Sequence, residues 1–233
     1  MPPQTGARSA FRLSPRLALA AGLIPKGRAV ADIGTDHAYL PAWLVLEGAA
    51  LRAIAADVSA GPLRNAAQTV ESHGLGERIE LRLSDGLDAF APGQADCFVF
   101  AGMGGTLIAR MLDRAPWINA PGTVIVAQPM RKSEDLRGWL TAHGWRIERE
   151  AACFDAGRPY HALLAVYAAH APQAAGYAYY GELPGCEHPA AKMLLERSRR
   201  WLAKRIAGLE QSGQMNEELA RLRIILADLE ERL

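Results

Sequence analysis

Three acids, Asp32, Asp57 and Asp85, each sit at or near the end of an apolar run, just before a glycine or serine. Carboxylates at strand ends can receive an ammonium group and accept hydrogen bonds from ribose hydroxyls or an exocyclic amine. The first belongs to the run Ala31-Asp32-Ile33-Gly34-Thr35-Asp36-His37-Ala38-Tyr39-Leu40, where Asp36 adds a second carboxylate beside the turn. Gly34 lets the backbone bend sharply and approach a bound molecule. A diphosphate site wants amides and cations at such a turn, not acids. The pattern suits a small cationic nucleoside.

A nicotinamide dinucleotide is the obvious competitor, and its fingerprint is G-x-G-x-x-G. Here the second glycine position is Asp36, which would repel a diphosphate. S-adenosylmethionine carries no phosphate but has an amino group and a sulfonium, so the methyl donor fits better. The candidate donor-binding residues are Asp32, Gly34, Asp36, His37, Asp57, Asp85, Gly86, Gly102, Met103 and Gly104. The last three lie in Ala101-Gly102-Met103-Gly104-Gly105, a turn whose glycines expose backbone carbonyls and leave room for a base. Many enzymes that methylate adenine nitrogens place an Asn or Asp, two prolines and an aromatic there, and this chain does not. Met103, Gln128 and Tyr160 are the candidates for positioning a target base, with His37 and Tyr39 as further stacking partners.

These residues need a scaffold that brings strand ends together. Strands at about 29–33, 52–58, 79–83, 97–101 and 123–128 alternate with helices at 39–48, 61–73, 106–114 and 133–143. That alternation predicts a doubly wound α/β sheet. Ser14-Pro15 reads as a helix start, with serine as cap and proline in the first turn. Ser133 reads as another cap, with Glu134 and Asp135 against the helix dipole. Two more strands, 145–154 and 161–167, read as a closing antiparallel hairpin. After Ala168 the composition changes. Residues 169–185 read as a linker, and from His188 the chain is helical. Met215, Leu219, Leu222, Leu226, Leu229 and Leu233 trace a coiled-coil seam, and Leu195, Leu202 and Leu209 trace another. A break near Gly208 or Gln211-Ser212-Gly213 makes the pair an antiparallel helical hairpin, with an intermolecular coiled coil as the alternative.

Composition narrows the classes. The chain has 233 residues, half of them hydrophobic, and a net charge of +1, so no global field draws it to nucleic acid or membrane. Charge is uneven locally. Arg8, Arg12, Arg16, Lys26 and Arg28 precede the first acid, and Lys192, Arg197, Arg199, Arg200, Lys204 and Arg205 face only Glu196. Three scattered cysteines suit a reducing cytoplasm. Cys186 and His188 lack zinc-site spacing, so no metal is expected. The apolar stretch after Arg16 is short and leads through Pro25-Lys26-Gly27 into the first strand, unlike a secretory leader. No run approaches the roughly 20 apolar residues of a membrane helix.

Taken together, Leu13-Ser14-Pro15-Arg16-Leu17, the run from Asp32 to Pro41, Ser84-Asp85-Gly86-Leu87, Ala101 to Ile108 and Gln128-Pro129 resemble the bacterial tRNA (adenine(22)-N(1))-methyltransferases. The resemblance covers nearly the whole chain. Thr35 and Ser84 stand where that family more usually has serine and glycine, and the C-terminal part matches only in general character. It implies a Rossmann-like class I methyltransferase sheet over 1–168, binding S-adenosylmethionine, and a linker with a helical coiled-coil domain over 169–233. It further implies methylation of adenine N1 in the D-arm region of tRNA by a cytoplasmic monomer or weak dimer. N1 attacks through its own lone pair, so no general base is required and no catalytic residue is assigned. On this reading Arg12, Arg16, Arg199, Arg200 and Lys204 track the tRNA backbone. A small-molecule methyltransferase with a dimerising coiled coil, or a catalytically silent RNA-binding module, are the alternatives.

Overall fold

The computed structural model describes residues 12–171, 173–174, 176–212 and 217–233. Arg8, Gly213 and Met215 lie outside the described residues. Seven strands form one sheet in the order β3-β2-β1-β4-β5-β7-β6. They are β1 (Arg28–Ile33), β2 (Ala50–Asp57), β3 (Ile79–Leu83), β4 (Cys97–Ala101), β5 (Val124–Gln128), β6 (Trp145–Asp155) and β7 (Arg158–Tyr167). β1 to β5 are parallel, and β7 joins antiparallel to both β5 and β6. The central strands β4 and β5 are covered on both faces and so read as unbroken apolar runs.

Alternation sorts their side chains into two cores. Ala31, Ile33, Phe98, Phe100, Ile125 and Ala127 belong to one apolar cluster. Val30, Cys97, Val99, Val124 and Val126 belong to the other. Helices α1 (Pro15–Leu23), α2 (Tyr39–Leu46) and α3 (Ala60–Ser72) cover the second face, while α4 (Gly105–Asp113) and α5 (Ser133–Ala142) cover the first. The chain order reverses between β1 and β4, which puts the ligand crevice of an open α/β sheet at their carboxyl ends.

Two expected caps differ. Ser14 precedes α1, yet its side chain caps nothing, and its buried Oγ has no hydrogen-bond partner. Lys132, at φ 57°, is the cap of α5, and Ser133 is its first helical residue. The expected linker carries structure of its own: α6 (Tyr177–Tyr180) and a 3-10 turn at Leu183–Gly185 bury Tyr177, Tyr180 and Leu183. Gly208 lies inside α7 (Pro189–Gln211), so the break before α8 (Glu217–Glu230) falls later. The two helices form an antiparallel hairpin joined by Arg205–Glu218 at 2.8 Å and Arg199–Glu230 at 3.8 Å. Leu195, Leu202 and Leu209 of α7 are buried, as are Leu219, Leu222, Ile225 and Leu229 of α8. They continue the cluster under β4 and β5.

Candidate functional site

The turn after β1 is folded under constraint. Gly34 and Thr35 both donate their backbone N–H to the Ala56 carbonyl, at 2.8 and 2.9 Å, which folds the turn back over β2. Gly34, Asp36 and Ala38 all have positive φ, at 77°, 51° and 54°. Two of these are not glycine, and such strain concentrates where a site needs a fixed shape. Ala38 is then the left-handed residue from which α2 starts.

Asp32 lies beneath this turn and is 4% exposed. Thr35 Oγ1 donates to its Oδ2 at 2.7 Å. Burial pushes the Asp32 carboxyl up to about 6; the Thr35 hydroxyl opposes this and the neighbouring Asp57 charge adds to it. Asp57, at the end of β2, accepts the Ser59 N–H on Oδ1 at 2.9 Å and lines the cavity. The exposed Asp36 lies 3.6 Å from His37 Nε2, and the His37 ring stacks on Tyr39 with centroids 5.1 Å apart.

The opposite wall comes from the turn after β4. Gly102 donates its N–H to the Gln128 carbonyl at 3.1 Å and to Gln128 Oε1 at 3.2 Å. Arg16 reaches down from α1 and donates to the same Oε1 at 3.4 Å, while its guanidinium lies 3.8 Å from Asp155. The Met103 carbonyl accepts from Met130 N–H at 2.8 Å, and Gly105 N–H donates to the Arg131 carbonyl at 2.8 Å. A side chain on Gly105 would collide with the Lys132 carbonyl, so this glycine makes room for the neighbouring loop and not for a ligand.

Between these walls lies a cavity of about 730 Å³ at the carboxyl ends of β1 to β5. Of the candidate donor-binding residues it is lined by Asp32, Gly34, Asp36, His37, Asp57, Gly86, Gly102 and Met103. Asp85 is not part of the lining. It is exposed and its carboxylate pairs with Arg114 at 3.2 Å, while its neighbours Ser84 and Gly86 line the cavity. Gly104 also stands outside, bridged to Arg131. Gln128 is wholly buried behind Gly102, and Tyr160 lies on β7 away from the cavity. Of the base-positioning candidates Met103 faces it, as do the stacking candidates His37 and Tyr39.

Arg12 and Arg16 line the cavity, the first from the segment before α1 and the second from its first turn. Arg199 is tied to Glu196 at 3.1 Å, while Arg200 and Lys204 stand exposed on α7. Sequence reasoning missed Thr35, Val58, Leu107, Met111 and Met130, all of which line the cavity. Thr35 and Met130 were within reach, because each stands two residues after an already recognised strand end. Among the described residues there is no group of three His, Cys, Asp or Glu placed to hold a metal, and no helix long and apolar enough to cross a membrane. A buried acid on the floor, strand-end hydroxyl acceptors and an apolar wall make a container for a cationic nucleoside.

Residues 13–163 match the methyltransferase domain family. The tRNA (adenine(22)-N(1))-methyltransferase of Bacillus subtilis is 38% identical over 155 residues, 66% of this chain and 65% of that protein. The match spans just under two thirds of the length of the curated relatives. The crystal structure of the B. subtilis m1A22 tRNA methyltransferase TrmK superposes with a TM-score of 0.83 at 28% identity, covering 95% of this chain and 98% of that one. A Streptococcus pneumoniae protein solved in complex with S-adenosyl-L-methionine is 32% identical, with a TM-score of 0.76, covering 92% of this chain and all of that one. The chain belongs to the tRNA (adenine(22)-N(1))-methyltransferase family.

The strand order of this methyltransferase and its cavity at the β1–β4 switch point fit that membership. The family match ends at residue 163, and the structural matches extend over the helical hairpin as well.

Proposed function

We propose that this methyltransferase transfers the methyl group of S-adenosylmethionine to N1 of adenine 22 in the D-arm region of a tRNA. The observation that carries the reading is Asp32, a buried carboxylate at the floor of a cavity whose opposite wall is apolar. A buried acid without a cation is costly, and a donor ammonium would relieve that cost.

The residues fit the donor. Asp32 would hold its ammonium and Asp57 its ribose hydroxyls, while Ser84 and Gly86 would flank the base. Gly34 and Gly102 would let the backbone come close, and Met103 would stand against the sulfonium. When bound, S-adenosylmethionine supplies an electrophilic methyl group. The chain's own residues then have little proton chemistry to perform, since adenine N1 presents a free lone pair near neutral pH. Their task is alignment, an effect worth several kcal/mol in favourable cases.

N1 lies on the Watson–Crick edge, so the target base must leave its stack to react. Val58, Leu107, Met130 and Tyr39 are exposed at the cavity mouth and offer apolar surface to such a base. Arg12 and Arg16 would meet its phosphates, with Arg200 and Lys204 extending the contact along the hairpin, whereas Arg199 is held by Glu196 and Glu230. The protein acts in the cytoplasm, as a monomer or weak dimer. The test is incubation with labelled S-adenosylmethionine and unmodified tRNA, followed by nucleoside analysis. N1-methyladenosine should appear, and should vanish when adenine 22 is replaced by guanine. Label in any other nucleoside, or none, refutes the proposal.

A further inference from the structure

A second cavity, of about 300 Å³, lies between the start of α5 and the middle of α7. Met130 lines both this cavity and the larger one, so the two are neighbours across a single side chain. One wall is aromatic: Tyr179 and Trp201 stack with centroids 6.1 Å apart, and Trp201 is 45% exposed. Lys132 Nζ sits 5.4 Å from the Trp201 ring centroid. Arg131, Lys132 and Arg197 bring three exposed cations to the rim, against one acid, Glu134, which lies 3.3 Å from Lys132.

The back wall points a donor at the cavity. Arg137 is neutralised by Glu150 through contacts of 2.8 and 3.0 Å, and its Nη2 also donates to His161 Nδ1 at 3.4 Å. Guanidinium can only donate, so His161 Nδ1 is the acceptor and Nε2 carries the proton. That proton goes to Ser133 Oγ at 2.8 Å. Burial, Arg137 and Arg197 keep His161 neutral by lowering its pKa well below the usual range. Ser133 therefore accepts from the histidine, which leaves its own hydroxyl hydrogen available to donate to an anion.

We propose that this cavity holds one phosphate-linked nucleotide of the RNA substrate beside the target adenine, with its base on Trp201 and its phosphate on Arg197, Lys132 and Ser133. The inference rests on the reading of the larger cavity as the methylation site of an RNA. Apolar stacking surface within reach of cations is the combination that single-stranded nucleic acid selects, since every base has a π-face. A free metabolite would not need the continuity through Met130, whereas a strand passing from one cavity to the next does.

The test is steady-state methylation of tRNA by W201A, W201F and R197A, alongside donor titration. W201A should raise the KM for tRNA about tenfold, from the loss of one stacked base. Its kcat and its affinity for S-adenosylmethionine should hold. W201F should restore most of the KM. R197A should flatten the dependence of log K on log salt by about one, the signature of one lost phosphate contact. Arg197 is exposed, so R197A gives a folded test even where W201A melts early. Unchanged KM and salt slope in R197A, with tRNA still methylated by the wild type, overturn the second cavity and leave the methylation reading intact. A wild type inert towards tRNA overturns both.

Discussion

Gly34 and Met103 come from the ends of neighbouring parallel strands, and a Cβ on Gly34 would sit 3.3 Å from the Met103 sulfur. The turn after β1 and the turn after β4 therefore come close together at the cavity, where both Gly34 and Met103 line it. Gly34→Ala would push Met103 inward and impose a side chain on a residue at φ 77°. A stability loss of about 1–2 kcal/mol is expected from the backbone alone. Donor affinity should fall further, by tenfold or more, because the displaced methionine occupies ligand space. Calorimetric titration of the folded variant checks this, and native affinity would show that the two turns do not define the donor site.

Asp32 predicts a pH dependence with opposite signs for stability and binding. Its carboxyl rises from 3.8 to about 6 in the folded, ligand-free protein. The neutral acid thus favours the folded state below about pH 4, and this contribution is lost as pH rises through about 6. Above that, the buried charge costs about 3 kcal/mol. Asp32→Asn keeps an acceptor for Thr35 and should raise the melting temperature at neutral pH. It should also abolish donor binding. In the wild type, donor affinity should fall as pH drops below about 6, since the ammonium needs the ionised acid. Melting curves and titrations from roughly pH 5 to 8 decide the matter, and an Asn variant that is less stable at pH 8 contradicts it.

The floor of the site was readable because buried parallel strands announce themselves as apolar runs, and Asp32, Gly34 and Asp57 follow directly from where two such runs stop. What escaped depended on partners distant in sequence. Asp85 also ends a strand, but Arg114 reaches it from the end of α4, 29 residues away, and draws the carboxylate outward. Gln128 ends β5 as expected, yet its amide turns to hold Gly102 and Arg16 instead of facing the ligand. In β6 a register shift between Ile147 and Arg149 reverses the alternation. That shift turns Glu150 inward, where simple parity from Trp145 and Ile147 would put it on the outer face.

The buried pair that results makes a stability prediction. Arg137 and Glu150 are 3% and 0% exposed at their side chains and meet through two parallel contacts. Glu150→Gln leaves the guanidinium without its counter-charge, and a loss of about 3–5 kcal/mol is expected. Arg137→Met with Glu150→Leu removes both charges and should recover much of that loss. Chemical denaturation of Arg137→Met, Glu150→Leu and the double variant that combines them forms a closed cycle. A double variant as unstable as the sum of the singles would mean that the pair is not coupled.

On α7, the spacing of the cations predicts which of them meet RNA. Arg197, Arg200 and Lys204 follow one another at three and four residues, so they share one face of the helix. Arg199 lies off that stripe and bridges Glu196 to Glu230 of α8. Arg200→Glu with Lys204→Glu should therefore weaken tRNA binding by tenfold or more near 0.15 M salt and lower the salt slope by about two. Donor affinity and melting temperature should stay at wild-type values, because both residues are exposed. Arg199→Glu should do the reverse: it loosens the hairpin, lowers the melting temperature, and changes the salt slope little. Fluorescence anisotropy with labelled tRNA over a range of salt separates the two variants. If Arg199→Glu alone flattens the slope, RNA runs along the α7–α8 seam and not along the stripe that leads to Trp201.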